Sequence, residues 1–70
     1  MAAQLKTALT ILRRNQVEVR TGLPRSSLYD RIKRGDFPAP IPLGARSVGW
    51  LEHEVDAWLA DRVAQARNRA

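Results

Sequence analysis

Two glycines and a proline set the length of one helix in this chain, and the rest must fold around it. In Gly22-Leu23-Pro24-Arg25-Ser26-Ser27-Leu28-Tyr29-Asp30-Arg31-Ile32-Lys33-Arg34-Gly35, Gly22 can take a positive φ, which suits a tight bend after a preceding helix. Pro24 has φ fixed near the helical value and no N–H, which is tolerated at a helix start. Gly35 ends the segment, with Lys33 and Arg34 in the last turn, where cations favour the helix dipole. The segment between them, Arg25 to Arg34, holds only two strongly apolar residues. Leu28 and Ile32 stand at i, i+4 and share a face. The opposite face carries Ser26, Asp30, Lys33 and Arg34, with Ser27 beside them and Tyr29 and Arg31 flanking the stripe. So short a helix with so narrow a stripe cannot hold itself together in water. It must lean on a core while presenting hydroxyls and cations outward, as a DNA recognition helix does.

The chain has 70 residues, enough for one small domain. The expected organisation is a flexible N-terminus over 1–8, a folded unit over 9–66 and a flexible tail over 67–70. With no cysteine, neither disulfides nor thiolate metal sites can staple the fold. Met1 to Leu12 has no apolar run long enough for a signal peptide or a membrane span, so the expected location is cytoplasmic. Net charge is +5, and it is unevenly spread. Residues 1–50 hold nine Lys/Arg against three acids, whereas residues 51–70 hold three Arg against four. The positive charge therefore sits with the organising helix, which favours a polyanion partner.

In chain order, Leu9-Thr10-Ile11-Leu12 is a short apolar run, extended and packed under the domain or a frayed helical turn. Arg13 to Thr21 reads as a first helix, with Val17 and Thr21 inward and Val19 partly covered. Arg14 and Arg20 are expected to face solvent, where the first helix of such a pair crosses the DNA backbone. After the organising helix, Phe37 is expected to plug the core. Pro38, Pro40 and Pro42 forbid helix and favour an extended path. Ile41 and Leu43 fit an edge strand, Gly44-Ala45-Arg46 a turn, and Ser47 to Trp50 a second strand with Val48 and Trp50 on one side. The pair forms a small wing tipped by Arg46. From Leu51 to about Ala66 runs the longest helix, with Leu51, Val55, Trp58, Leu59 and Arg62/Val63 at helical spacing. Trp50 and Trp58 are the largest core candidates. The fold class expected is mainly α with a small β-hairpin wing, a winged helix-turn-helix of three helices.

Catalytic chemistry has no foothold in this pattern. His53 lies between Glu52 and Glu54, and side chains at i, i+1 do not converge on a metal. Ser26 and Ser27 have no base placed by local spacing to activate them. Four scattered glycines make no phosphate-cradling loop. The expectation is a non-enzyme without a cofactor, small-molecule substrate or membrane partner.

Several segments together resemble the AlpA family of phage regulatory proteins. The resemblance runs from Leu12-Arg13-Arg14-Asn15-Gln16-Val17 through Thr21-Gly22-Leu23-Pro24-Arg25-Ser26-Ser27-Leu28-Tyr29 to Ile32-Lys33-Arg34-Gly35-Asp36-Phe37-Pro38. It continues through Leu43-Gly44-Ala45-Arg46-Ser47-Val48-Gly49-Trp50-Leu51-Glu52 and Glu54-Val55-Asp56-Ala57-Trp58. It implies a winged helix-turn-helix of the MerR/excisionase type, acting as a transcriptional regulator or as an excisionase that biases an integrase towards excision. By that likeness the helix from Arg25 to Arg34 enters the major groove of double-stranded DNA, and the wing with Arg46 lies along the adjacent minor groove or phosphates. The expected DNA contacts are Arg14, Arg25, Ser26, Ser27, Tyr29, Lys33, Arg34 and Arg46. An integrase, or further copies of the chain on DNA, are the additional partners this likeness admits. Where many relatives have serine, this chain has Pro24, which cannot cap through a side chain, so Ser26, Ser27 or water must satisfy the first N–H groups. Asp30 is an acid on the DNA face, and it either accepts from cytosine N4 or holds Arg34 at i+4. A small protein-interaction adaptor without specific DNA binding is the alternative.

Overall fold

The computed structural model describes residues 9–68. Among them the order is strand, two short helices, a hairpin and a long helix: β1 (Ile11–Leu12), α1 (Arg14–Thr21), α2 (Arg25–Lys33), β2 (Ile41–Pro42), β3 (Val48–Leu51) and α3 (Glu52–Asn68). This is three helices with a small antiparallel sheet, the winged helix-turn-helix expected. The expected flexible segment 1–8 and residues 69–70 of the expected tail lie outside the described part, whereas 67–68 continue α3.

Local chemistry sets the helix ends. Arg13 has extended backbone (φ −90°, ψ 166°), so α1 starts one residue later than expected. Its N–H is received by Gln16 Oε1 at 2.8 Å, one half of a capping box. Thr21 Oγ1 donates to the Val17 carbonyl at 2.8 Å and receives the Leu23 N–H at 3.3 Å. Gly22 follows at φ 75° and returns its N–H to the Glu18 carbonyl at 2.8 Å. The chain then passes through Leu23 and Pro24 into α2. Pro24 is the N-cap, without a side-chain cap hydrogen bond. At the other end Gly35 (φ 78°) donates to the Ile32 carbonyl at 3.0 Å and Asp36 to the Arg31 carbonyl at 2.8 Å. These are the two bonds of a Schellman motif.

β3 is the middle strand, in the order β1-β3-β2. It pairs antiparallel with β1 (Ile11↔Leu51, Leu12↔Trp50) and with β2 (Ile41↔Gly49, Pro42↔Val48). The apolar run before α1 is thus extended, but Leu9 is exposed rather than packed beneath the domain. Gly49 lies in the middle strand and is closely approached from both sides. A Cβ there would lie 2.5 Å from Ile11 Cγ2, 3.0 Å from Leu43 Cδ1 and 3.2 Å from the Leu12 carbonyl oxygen, so only glycine fits.

Leu12, Val17, Leu28, Phe37, Trp50 and Val55 form the buried core, with Leu23, Tyr29, Ile32, Val48, Trp58 and Leu59 packed around it. Each structural element except β2 gives at least one residue to these six or to that shell, so α2 does lean on the rest, through Leu28. Trp50 is wholly buried, and its Nε1–H donates to the Pro38 carbonyl at 3.0 Å. Trp58 is half-buried: Nε1–H reaches the Asp36 carbonyl at 2.6 Å, and its ring meets Phe37 edge-on at 4.9 Å. Arg31 and Arg62 stand over that ring at 5.6 and 5.4 Å. Asp36 pairs with Arg31, and with Arg62 at 3.9 Å.

Three further expectations need correction. Leu51 belongs to β3, not to the long helix, because its backbone is taken up by pairing with Ile11. The apolar face of α3 fades after Leu59, since Val63 is 47% exposed. Val19 is 85% exposed rather than partly covered, because α1 turns only the side of Val17 towards the core.

Candidate nucleic-acid interface

Three elements converge on one open groove of about 490 Å³, lined by Arg13, Arg14, Asn15, Arg25, Tyr29, Arg46 and Val48. Arg13 at the N-cap and the first turn of α1 supply the first three, α2 supplies Arg25 and Tyr29, and the hairpin supplies Arg46 and Val48. Four guanidinium groups share the groove, and no carboxylate lines it. Such a concentration of one charge sign along a concave wall focuses potential on an anion.

The position of each cation follows from its local structure. Arg25 opens α2, where the absent side-chain cap leaves the first N–H groups facing outward together with the positive end of the dipole. Its guanidinium stands 5.9 Å from the centroid of Tyr29, a cation–π distance. Tyr29 in turn touches Trp50, so the ring beneath Arg25 is seated on the core. Arg14 lines the groove while paired with Glu18 one turn on, at 2.5 Å. Arg46 is exposed in the loop between β2 and β3, which is closed by the Leu43 N–H donating to the Ser47 carbonyl at 2.7 Å.

The other sequence-derived candidates lie outside this groove. Ser26 and Lys33 are exposed on α2 and Ser27 is half-buried. Arg34 pairs with Asp30 at 2.9 Å, the i, i+4 pairing that was one of the two roles expected of that acid. Arg20 is engaged elsewhere: it bridges Glu52 and Asp56 of α3, each at 3.1 Å. Its pKa is raised, chiefly by the hydrogen bond to Asp56 and against some desolvation. Arg20 is exposed, as expected, but its guanidinium ties α1 to α3 instead of standing free beside a phosphate.

Arg13 and Asn15 line the groove without having been singled out from the sequence. A period-two signal was available for Arg13: Leu12 is buried in β1, so its neighbour in an extended chain points the other way. Among the described residues no cluster of three or more His, Cys, Asp or Glu is placed to hold a metal ion.

Residues 10–63 match the family model described as the prophage CP4-57 regulatory protein (AlpA). The chain belongs to the AlpA family. The matched span runs from just before β1 into α3, so every residue lining the groove falls within the AlpA family match. Among individual proteins, the chain is 41% identical over 63 aligned positions to the DNA-binding transcriptional activator AlpA of Escherichia coli, covering 81% of this chain and 90% of that protein. It is 49% identical over 43 residues to an uncharacterised protein (ORF88) of Enterobacteria phage P4. That second alignment takes in 61% of this chain and spans about half, 49%, of the phage protein.

Proposed function

We propose that this AlpA-family chain is a sequence-specific binder of double-stranded DNA that regulates transcription in a phage or integrative element. The groove carries the reading: Arg13, Arg14, Arg25 and Arg46 come together from three elements with no acid among the lining residues. In the MerR/excisionase-type docking that the family likeness implies, α2 enters the major groove by its N-terminal end. Arg25, held over Tyr29, is then the base reader, forming a bidentate pair with guanine. Ser26, Ser27 and Tyr29 flank it. Lys33 and Arg34 at the far end of α2, Arg14 on α1 and Arg46 on the wing meet phosphates, which position the helix without choosing sequence. The site of action would be the cytoplasm of a bacterium or phage-infected cell. No helix among the described residues is long and apolar enough to cross a membrane.

Regulation is preferred to excision because the E. coli relative is named as a transcriptional activator. Both roles use the same contacts, and in either one an integrase or adjacent copies on repeated sites would raise occupancy through effective concentration. The test is a duplex-binding titration across salt concentrations. Counterion release lowers log affinity by about 0.9 per phosphate neutralised for each unit of log salt, so four phosphate contacts give a slope of about −3.6. A flat salt dependence would remove the DNA reading in favour of a protein-interaction adaptor. Promoter-reporter output without any change in excision frequency would then separate regulator from excisionase.

A further inference from the structure

Arg13 occupies the junction of β1 and α1, and its side chain completes the sheet. In the β2–β3 ladder the Leu43 N–H goes to the Ser47 carbonyl. Alternation along the strand therefore turns the next carbonyl, that of Val48, away from β2 and towards the side of β1. There β1 has already ended: Leu12 pairs with Trp50, and the chain two residues on has entered α1. No backbone N–H of β1 is left to fill that rung. Arg13 Nε fills it instead, donating to the Val48 carbonyl at 3.1 Å. A guanidinium is a planar fork of five N–H donors, and only the Nε–H is used here. The two terminal nitrogens have no hydrogen-bond or ion-pair partner among the described residues, and the side chain lines the groove beside Arg14, Arg25 and Arg46.

We propose that Arg13 is a divided residue: Nε holds the wing to the helix-turn-helix, while the terminal nitrogens bind a backbone phosphate in the groove. This rests on the DNA-binding reading above and adds to it a positioning role. A phosphate drawn to Arg13 pulls on the group that places the wing, so Arg46 reaches its own phosphate from a fixed distance. Arginine is required because a lysine ammonium is a single point charge without the fork.

The experiment compares wild type, Arg13→Ala, Arg13→Lys, Arg46→Ala and the Arg13→Ala/Arg46→Ala double variant. Each is titrated against specific and unrelated duplexes at several salt concentrations, with amide hydrogen exchange at Leu43 measured without DNA. Arg13→Ala should weaken both duplexes about tenfold, make the salt slope shallower by about 0.9 and speed exchange at Leu43. The double variant should lose less than the product of the two single losses, because a released wing no longer places Arg46. Arg13→Lys should keep the slope but not the protection at Leu43. An unchanged slope in Arg13→Ala, or exchange and double-variant losses showing no coupling to the wing, would overturn the proposal. Wild type without salt-dependent duplex binding would instead bring down the functional reading and the phosphate half with it. Wild-type binding shared unchanged by Arg13→Ala removes only the role of Arg13.

Discussion

The ring of Tyr29 meets that of Trp50 edge-on, at 64° and 6.4 Å between centroids, so the largest fully buried side chain of the core directly supports the ring beneath Arg25. Tyr29→Phe keeps the ring and should preserve both the melting temperature and the preferred site. Tyr29→Ala should cost about 2 kcal/mol, below the range for a fully buried aromatic because Tyr29 is half-buried. It should also blur the site preference as loss of Arg25 does. Thermal melts and selection from randomised duplexes check the two halves separately.

Arg25→Ala should flatten the preference at one base position by about 1–3 kcal/mol, the discrimination of a bidentate arginine–guanine pair. Fold and most non-specific binding should survive. Arg46→Ala and Arg34→Ala should weaken all sequences alike, and Arg46→Ala should make the salt slope shallower by about 0.9. The same selected motif from Arg25→Ala as from wild type would move the base reader to Ser26, Tyr29 or Lys33.

Arg20 offers the contrasting arginine. Its partners, Glu52 and Asp56, are on α3, so Arg20→Ala should lower the melting temperature slightly and leave the salt slope of duplex binding unchanged. A shallower slope would show that Arg20 leaves these carboxylates for DNA.

Trp50→Ala should be more damaging than Trp58→Ala. Removing the wholly buried ring costs about 3–5 kcal/mol, comparable with the entire stability of a small domain, about 5 kcal/mol at the low end. Trp58 is half-buried and its loss should cost about 2–3 kcal/mol, from the Phe37 contact and the bond to Asp36. Chemical denaturation of both variants gives the order.

Gly49→Ala should destabilise the domain by about 1–3 kcal/mol, since one new methyl must displace Ile11 and Leu43 and crowd a backbone oxygen. Gly44→Ala, with open space around it, should be close to neutral. Equal melting temperatures would mean that β1 can shift away from β3.

Residue chemistry announced the local features of this fold. Gly22, Pro24 and Gly35 bound α2 to within a residue because each acts through its own backbone. Asp30 and Arg34 pair as their spacing allows, and Phe37 is buried beyond the end of that helix. What was not legible depends on distant partners. Leu51 has helical spacing relative to Val55, yet its antiparallel partner Ile11, 40 positions earlier, holds it in a strand. Val19 is apolar and exposed because the rest of the fold covers only the Val17 side of α1. Arg13 looked like the first residue of a helix; only the early end of β1 and the unfilled carbonyl of Val48 give its side chain a task.

β3 runs into α3 without a linking residue, Leu51 ending the one and Glu52 beginning the other, while the Glu52 N–H is held by the Thr10 carbonyl at 2.8 Å. No spare residue is available there to absorb a change in length, so one residue inserted between Leu51 and Glu52 would turn the whole of α3 by about 100° relative to the hairpin.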